Sequence, residues 1–168
     1  LCEHSLDQIR ASVAYPGMNV KLAGHYGGLS DSYDGASHHT ITDLSVMRAI
    51  PNMKVVVLSD AAQTRSALKT ILMEDGPVYF RLCRAATAVF HQENELFHIG
   101  KAIRHSEGAD VMILTTGIVT WHALLAAEQL AAKGISAGVM EIPTLKPLDE
   151  QAIVEVAAKT KIIFTLEE

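Results

Sequence analysis

The sequence predicts an α/β protein built from two doubly wound parallel-sheet units, and three observations predict it. Short apolar runs rich in β-branched residues, such as K-V-V-V-L at 54–58 and D-V-M-I-L-T-T at 110–116, alternate with stretches of helical periodicity. The runs are apolar almost throughout, as strands covered on both faces are. A polar, unperiodic stretch over 85–100, with H-Q-E-N-E at 91–95, divides the pattern in two. The units are expected at 1–91 and 92–168.

The elements follow in order. Residues 6–13 have helical spacing, with Leu6, Ile9 and Val13 on one face, and Tyr15-Pro16-Gly17 ends the run. Residues 19–23 read as a short strand. The next strand, 54–58, is bounded by Pro51-Asn52 and Ser59-Asp60. Residues 62–73 form an amphipathic helix closed by Asp75-Gly76-Pro77, and 78–82 a strand that ends at Cys83-Arg84. In the second unit, 110–116 is a strand, 119–133 a helix stopped by Gly134, 135–142 a strand, 149–159 a helix and 162–166 a last, buried strand. A chain that begins without Met and stops straight after a strand reads as a portion of a longer polypeptide.

Between the first two strands, residues 24–39 are crowded with Gly, Ser, Asp, Tyr and His. So polar and Gly-rich a stretch belongs on a rim rather than in a core. Thr40 and Asp43 have the spacing of a helix N-terminal capping box, with Asp in place of Glu or Gln, and Pro51 stops the helix. That spacing puts His38 and His39 at a helix N-terminus, where an anion is favoured. In open parallel sheets ligands bind at the carboxyl ends of the strands. The loop and Arg84 both follow strands, so they are expected on one rim.

His38 is the leading candidate for chemistry, because imidazole exchanges protons near neutral pH. The competing reading is a histidine that only caps a helix or ties the loop. Asp34 precedes Gly35 and reads either as an Asp-Gly turn or as a carboxylate for a substrate hydroxyl. Arg84 suits bidentate anion binding or a surface ion pair. His25, beside Tyr26, is a substrate contact or loop polarity. The His38-His39 pair has no third ligand at suitable spacing, so no metal site is expected. Glu167 and Glu168 are read as solvated.

Composition narrows the classes. A net charge of −5 with no Lys/Arg run argues against nucleic acid. No apolar run is long enough to span a membrane, and the first residues lack the layout of a signal peptide. The two cysteines, Cys2 and Cys83, lack metal-ligand spacing and read as reduced thiols of a cytoplasmic protein.

The order of the motifs resembles the C-terminal portion of transketolase, above all the two-subunit split type. Leu6-Asp7-Gln8-Ile9-Arg10 is similar to the family's E-Q-I-R helix. Gly28-Leu29-Ser30 followed by Asp34-Gly35-Ala36-Ser37-His38 resembles its G-L-S…D-G-[AP]-T-H loop. Asp43-Leu44, Met47-Arg48, Ile50-Pro51-Asn52 and Asp60 continue the match. Residues 76–84, G-P-V-Y-F-R-L-C-R, resemble the strand G-P-V-Y-I-R-L-G-R, and 145–149, L-K-P-L-D, the segment I-K-P-L-D. Gly117 and Glu167-Glu168 complete the series.

The resemblance implies a thiamin-diphosphate enzyme that transfers a two-carbon ketol unit reversibly from a ketose to an aldose. Residues 1–91 would be most of the pyrimidine-binding domain, lacking its N-terminal part, and 92–168 a truncated transketolase C-terminal domain. His38 would lie by the cofactor's aminopyrimidine and assist proton transfer. Asp34 would bind the donor's hydroxyl next to the carbonyl, and Arg84 its distal anion. His4 stands near a further ring contact. The cofactor's diphosphate and its Mg²⁺ (or Ca²⁺) would bind mainly to a partner chain, an N-terminal subunit, in a dimer of heterodimers. No G-D-G…N motif for them occurs here, since Tyr33-Asp34-Gly35 lacks the downstream Asn. The chain alone is therefore expected to be inactive.

The departures from the pattern lie in the substrate loop. Tyr26 stands where the family has His, with His25 just before it; Ser32-Tyr33 replaces Gly-Glu, and His39 replaces Gln. A phenol cannot supply a cation at neutral pH. A donor whose distal group differs from the common sugar phosphates, or is bound differently, is expected. The alternatives are a 1-deoxyxylulose-5-phosphate synthase, which usually has D-R-A-G where this chain has Gly24-His25-Tyr26-Gly27, a 2-oxoacid dehydrogenase β chain, and a non-catalytic assembly subunit.

Overall fold

The computed structural model describes residues 4–30, 33–93 and 95–168. Two four-stranded sheets carry the chain. The first has the order β1-β3-β2-β7, from β1 (Lys21–Gly24), β2 (Lys54–Val57), β3 (Val78–Arg81) and β7 (Thr144–Lys146). The second has the order β4-β6-β5-β8, from β4 (Ile103–Ser106), β5 (Val111–Thr115), β6 (Ala137–Glu141) and β8 (Ile162–Leu166). The helices are α1 (Leu6–Gln8), which runs on as a π-helical stretch Ile9–Ala14, α2 (Asp43–Ala49), α3 (Ala61–Met73), α4 (Thr120–Ala131) and α5 (Glu150–Ala157). The α/β class and the two units are as the periodicity predicts. No helix of the described residues is long and apolar enough to cross a membrane.

The register follows from burial. Strands β1 and β2 pair in parallel with β3, whose four residues are all buried. On one face of the first sheet, Val55, Val57 and Tyr79 meet Ile9, Leu44, Met47 and Met53; on the other, Val56, Val78 and Phe80 meet Ala67 and Ile71 of α3. Each apolar side chain so buried is worth about 1.5–3 kcal/mol. Both faces are covered, which is why these strands are apolar throughout rather than alternating.

The sheets are mixed rather than purely parallel. β4 pairs antiparallel with β6, and β7 pairs antiparallel with β2. Neither short strand shows in the sequence, because three or four residues carry no usable period. β7 also ties the halves together. The chain leaves β6 in the second sheet, and Pro143 O accepts the Val57 amide at 2.8 Å. Lys146 Nζ then donates to the carbonyls of Arg48 and Ile50 at 2.9 and 2.6 Å, closing the C-terminal end of α2. Leu145 packs against the cores of both sheets.

Two local expectations are corrected. The first turn of α2 has no capping box: Thr42 stands at its N-cap position and makes no side-chain cap bond. Asp43 instead points into the protein, 1% exposed, and accepts from Tyr79 Oη at 2.6 Å. His38 and His39 therefore lie in the loop ahead of α2 and not at its N-terminus. β8, expected to be buried, forms the edge of the second sheet, with Ile162 and Phe164 52% and 57% exposed.

Candidate functional site

β1, β2 and β3 end at one rim, and the loop after β1 folds over it. Close backbone approach shapes the loop. A Cβ on Gly27 would sit 1.8 Å from Arg81 Nε, and Gly28 has φ +78° with Glu168 and Arg81 where its Cβ would point. Arg81, 6% exposed, runs beneath these glycines; its Nε lies 3.7 Å from Asp43 Oδ2 and its Nη2 donates to Glu168 O at 3.2 Å. The Glu168 carboxylate accepts the Ser30 amide. Glu168 is therefore part of the loop's support rather than a solvated residue, whereas Glu167 is exposed. Arg84 stands out in the sequence and Arg81 does not, because Arg81 carries no mark of its role beyond its place inside an apolar strand.

Tyr26 has φ +62°, a left-handed conformation that costs a bulky residue on the order of 1–3 kcal/mol. Its backbone is held there: Tyr26 O accepts the Thr40 amide at 3.3 Å, and Thr40 O accepts the Gly28 amide at 2.8 Å. The conformation sets the phenol ring between two other candidates. The Arg84 guanidinium carbon lies 5.7 Å from the ring centroid, and the His38 ring 5.9 Å away at a tilt of 56°. His38 Nδ1 lies 3.1 Å from Ser37 Oγ, within a turn in which the His38 amide donates to Gly35 O at 3.0 Å. Arg84, Tyr26 and His38 thus form one row along the rim.

The other sequence candidates stand apart from that row. Asp34 is exposed in the same loop, just ahead of Gly35 at φ +70°. His25 is exposed and faces a pocket of about 410 Å³, which Ser59, Asp60, Thr64, Arg65 and Ala85 also line. His4 is exposed at the start of the first helical stretch. Cys83 lies beside the rim; burial, and then the charge of Glu168, push its thiol above the ordinary range, which makes it a poor nucleophile. Among the described residues, Ser30 Oγ and Thr40 Oγ1 are buried without a hydrogen-bond partner. Two such hydroxyls in one loop leave room for a bound group to satisfy them.

A second polar cluster joins the two sheets. Glu141, at the end of β6, is fully buried. Its Oε1 accepts from Ser59 Oγ and from Gln63 Nε2, the latter at 2.8 Å, and its Oε2 contacts His91 Nε2 and His105 Nε2, each at 2.9 Å. His91 Nδ1 lies 3.1 Å from Asp60 Oδ2, which also accepts the Phe90 and His91 amides. Burial opposes ionisation of Glu141, but the bonds from His105 and His91 outweigh it and hold the carboxyl down at about 2. Burial likewise disfavours a charged His91, yet the Glu141 bond raises its pKa. Positions 59, 91, 105 and 141 are too scattered for any motif to reveal this cluster, and His91 falls in the stretch that reads as a linker.

Comparison with known families agrees with this architecture. The transketolase pyrimidine-binding domain matches residues 5–89, and the transketolase C-terminal domain matches residues 100–168. The chain belongs to the transketolase family. Its relatives include the 6-deoxy-6-sulfo-D-fructose transketolase subunit SqwH of Clostridium sp. (strain MSTE9), 47% identical over 161 residues, 96% of this chain and 50% of the relative. An apulose-4-phosphate transketolase subunit of Phocaeicola vulgatus is 38% identical over 98% of this chain and 53% of its own length. A solved structure described as a split gene transketolase, an inactive β4 tetramer, superposes with a TM-score of 0.91 at 42% identity, covering 98% of this chain and 53% of that one. The chain spans about half the length of these relatives.

Proposed function

We propose that this chain supplies the sugar-facing half of a thiamin-diphosphate ketol-transfer site, completed by a partner chain that carries the diphosphate and metal site. The observation that carries this reading is the row Arg84–Tyr26–His38 at the carboxyl rim of the first sheet, set by the left-handed Tyr26. The division into units at 1–91 and 92–168 belongs to the same reading.

The residues fit the group on their own side of the site. Among the described residues the buried Ser30 and Thr40 hydroxyls lack partners, and Leu29, Tyr33 and Ile41 around the loop are 60%, 90% and 71% exposed. So much apolar surface on a functional rim suits cover by another chain. Bound cofactor supplies a carbon acid and an electron sink for the two-carbon fragment. The protein's own groups bind the sugar and move protons. Ser37 at Nδ1 leaves His38 Nε2 to give and take a proton at the sugar hydroxyl oxygens. Asp34 accepts a hydrogen bond from the hydroxyl beside the donor carbonyl. His4 is a further contact on the cofactor ring.

Arg84 holds the donor's distal anion, His25 is a further substrate contact from the adjoining pocket, and Tyr26 sets how much positive charge that anion meets. A phosphate monoester carries about −1.5 to −2 charges near neutral pH. A sulfonate carries one. A neutral phenol beside a single guanidinium suits the monoanion, in keeping with the sulfosugar named for the Clostridium relative. The test is the kcat/KM of the chain, assembled with its partner, on 6-deoxy-6-sulfofructose and on fructose 6-phosphate. Preference for the sulfonate supports the reading, and equal or better use of the phosphate overturns it.

A further inference from the structure

We propose that His91, His105 and Glu141 form a binding site for a zinc-type divalent cation at the joint between the two sheets. The three ligand atoms, His91 Nε2, His105 Nε2 and Glu141 Oε2, lie within 4.8 Å of one another. Two imidazoles and one carboxylate are a known donor set for zinc with an open fourth position. Each nitrogen is 2.9 Å from Oε2. Ligands bonded at 2.0–2.1 Å in a tetrahedral site stand about 3.3 Å apart. Widening each N···O contact by roughly 0.4 Å therefore brings it to coordination spacing, and the two Nε2 atoms already lie within 4.8 Å of each other.

Three further features are those of a built site. Asp60 Oδ2 lies 3.1 Å from His91 Nδ1 and is fixed by backbone amides at 2.8 and 2.9 Å. This is the carboxylate–histidine arrangement that orients a metal-bound imidazole. Ser59 and Gln63 hold the other Glu141 oxygen, so Oε2 keeps its direction. Phe90 packs on both imidazoles, at 4.5 Å from the His91 ring and 5.7 Å from the His105 ring, and stacks on Trp121 at 6.1 Å. The side chains of Glu141 and His91 are 0% and 3% exposed, and that of His105 is 16% exposed, so entry and the fourth, water ligand come from the His105 side.

The exchange balances. An ionised carboxylate oxygen only accepts, so both Nε2 atoms carry the hydrogens that they now donate to Oε2. As one dication enters, each Nε2 must free its lone pair, so its hydrogen leaves to water from a doubly protonated ring or moves to Nδ1 of a neutral one. The ligands come from the segment after β3, from β4 and from β6, so the ion would pin the second sheet to the first.

Titration of the full chain with Co²⁺ and no thiamin diphosphate tests this. One equivalent of Co²⁺ should give the intense visible bands of a tetrahedral centre, and Zn²⁺ should displace it and raise the unfolding temperature. His105→Ala, on the exposed side, should keep the fold by circular dichroism and weaken Co²⁺ binding more than about 100-fold, beyond what an outer partner alone costs. Absence of a tetrahedral spectrum would show the cluster to be a hydrogen-bonded joint only. The same spectrum retained in both His105→Ala and Glu141→Gln would put the metal elsewhere and overturn the assignment.

Discussion

Tyr26 is the residue on which the proposed specificity turns. It sits in a conformation that most side chains avoid, and it touches both the residue proposed to bind the distal anion and the one proposed to move protons. In the assembled enzyme, Tyr26→His should shift preference toward phosphorylated donors, read as a rise in the ratio of kcat/KM for fructose 6-phosphate over 6-deoxy-6-sulfofructose. An unchanged ratio would take Tyr26 out of substrate choice. His38→Ala should lower kcat by about 10²–10⁴-fold, the range for loss of a positioned proton-transfer group, with the fold intact. The candidates in this row are legible from residue type and loop position. Their stacking is not, because it depends on a positive φ at a tyrosine, which no sequence pattern signals.

Among the elements, the central strands and the longer helices are plain in the sequence, since burial on both faces or a clear 3.6-residue period marks them. β4 and β7 are hidden by their shortness, and β8 reads as buried because edge strands can be as apolar as central ones. Asp43 shows how a local rule loses to tertiary context. Its spacing suits a cap, but a buried tyrosine and a buried arginine offer a stronger field. Tyr79→Phe would leave that carboxylate short of a donor while keeping the ring's packing. The expected cost is about 1–3 kcal/mol. In a chain of this size that is a fall of roughly 2–12 °C in the unfolding midpoint. No change in thermal unfolding would mean that Arg81 alone balances Asp43.

At the scale of the whole molecule, β7, which crosses to the first sheet, and the Glu141 cluster, which binds residues of both units, help set the sheets against each other. Neither is visible in the sequence, because both depend on residues far apart in the chain. They matter for function because the rim is built on the first sheet while Glu168, which braces the loop through Ser30 and Arg81, follows β8 of the second. The account's central claim is that this rim is half of a ketol-transfer site. The most direct measurement compares ketol transfer from a sulfonated ketose by this chain alone, by an N-terminal split-transketolase subunit alone, and by the two mixed, each with thiamin diphosphate and Mg²⁺. The account predicts turnover only in the mixture, abolished there by His38→Ala. Turnover by this chain alone, or a mixture indifferent to His38, would contradict it.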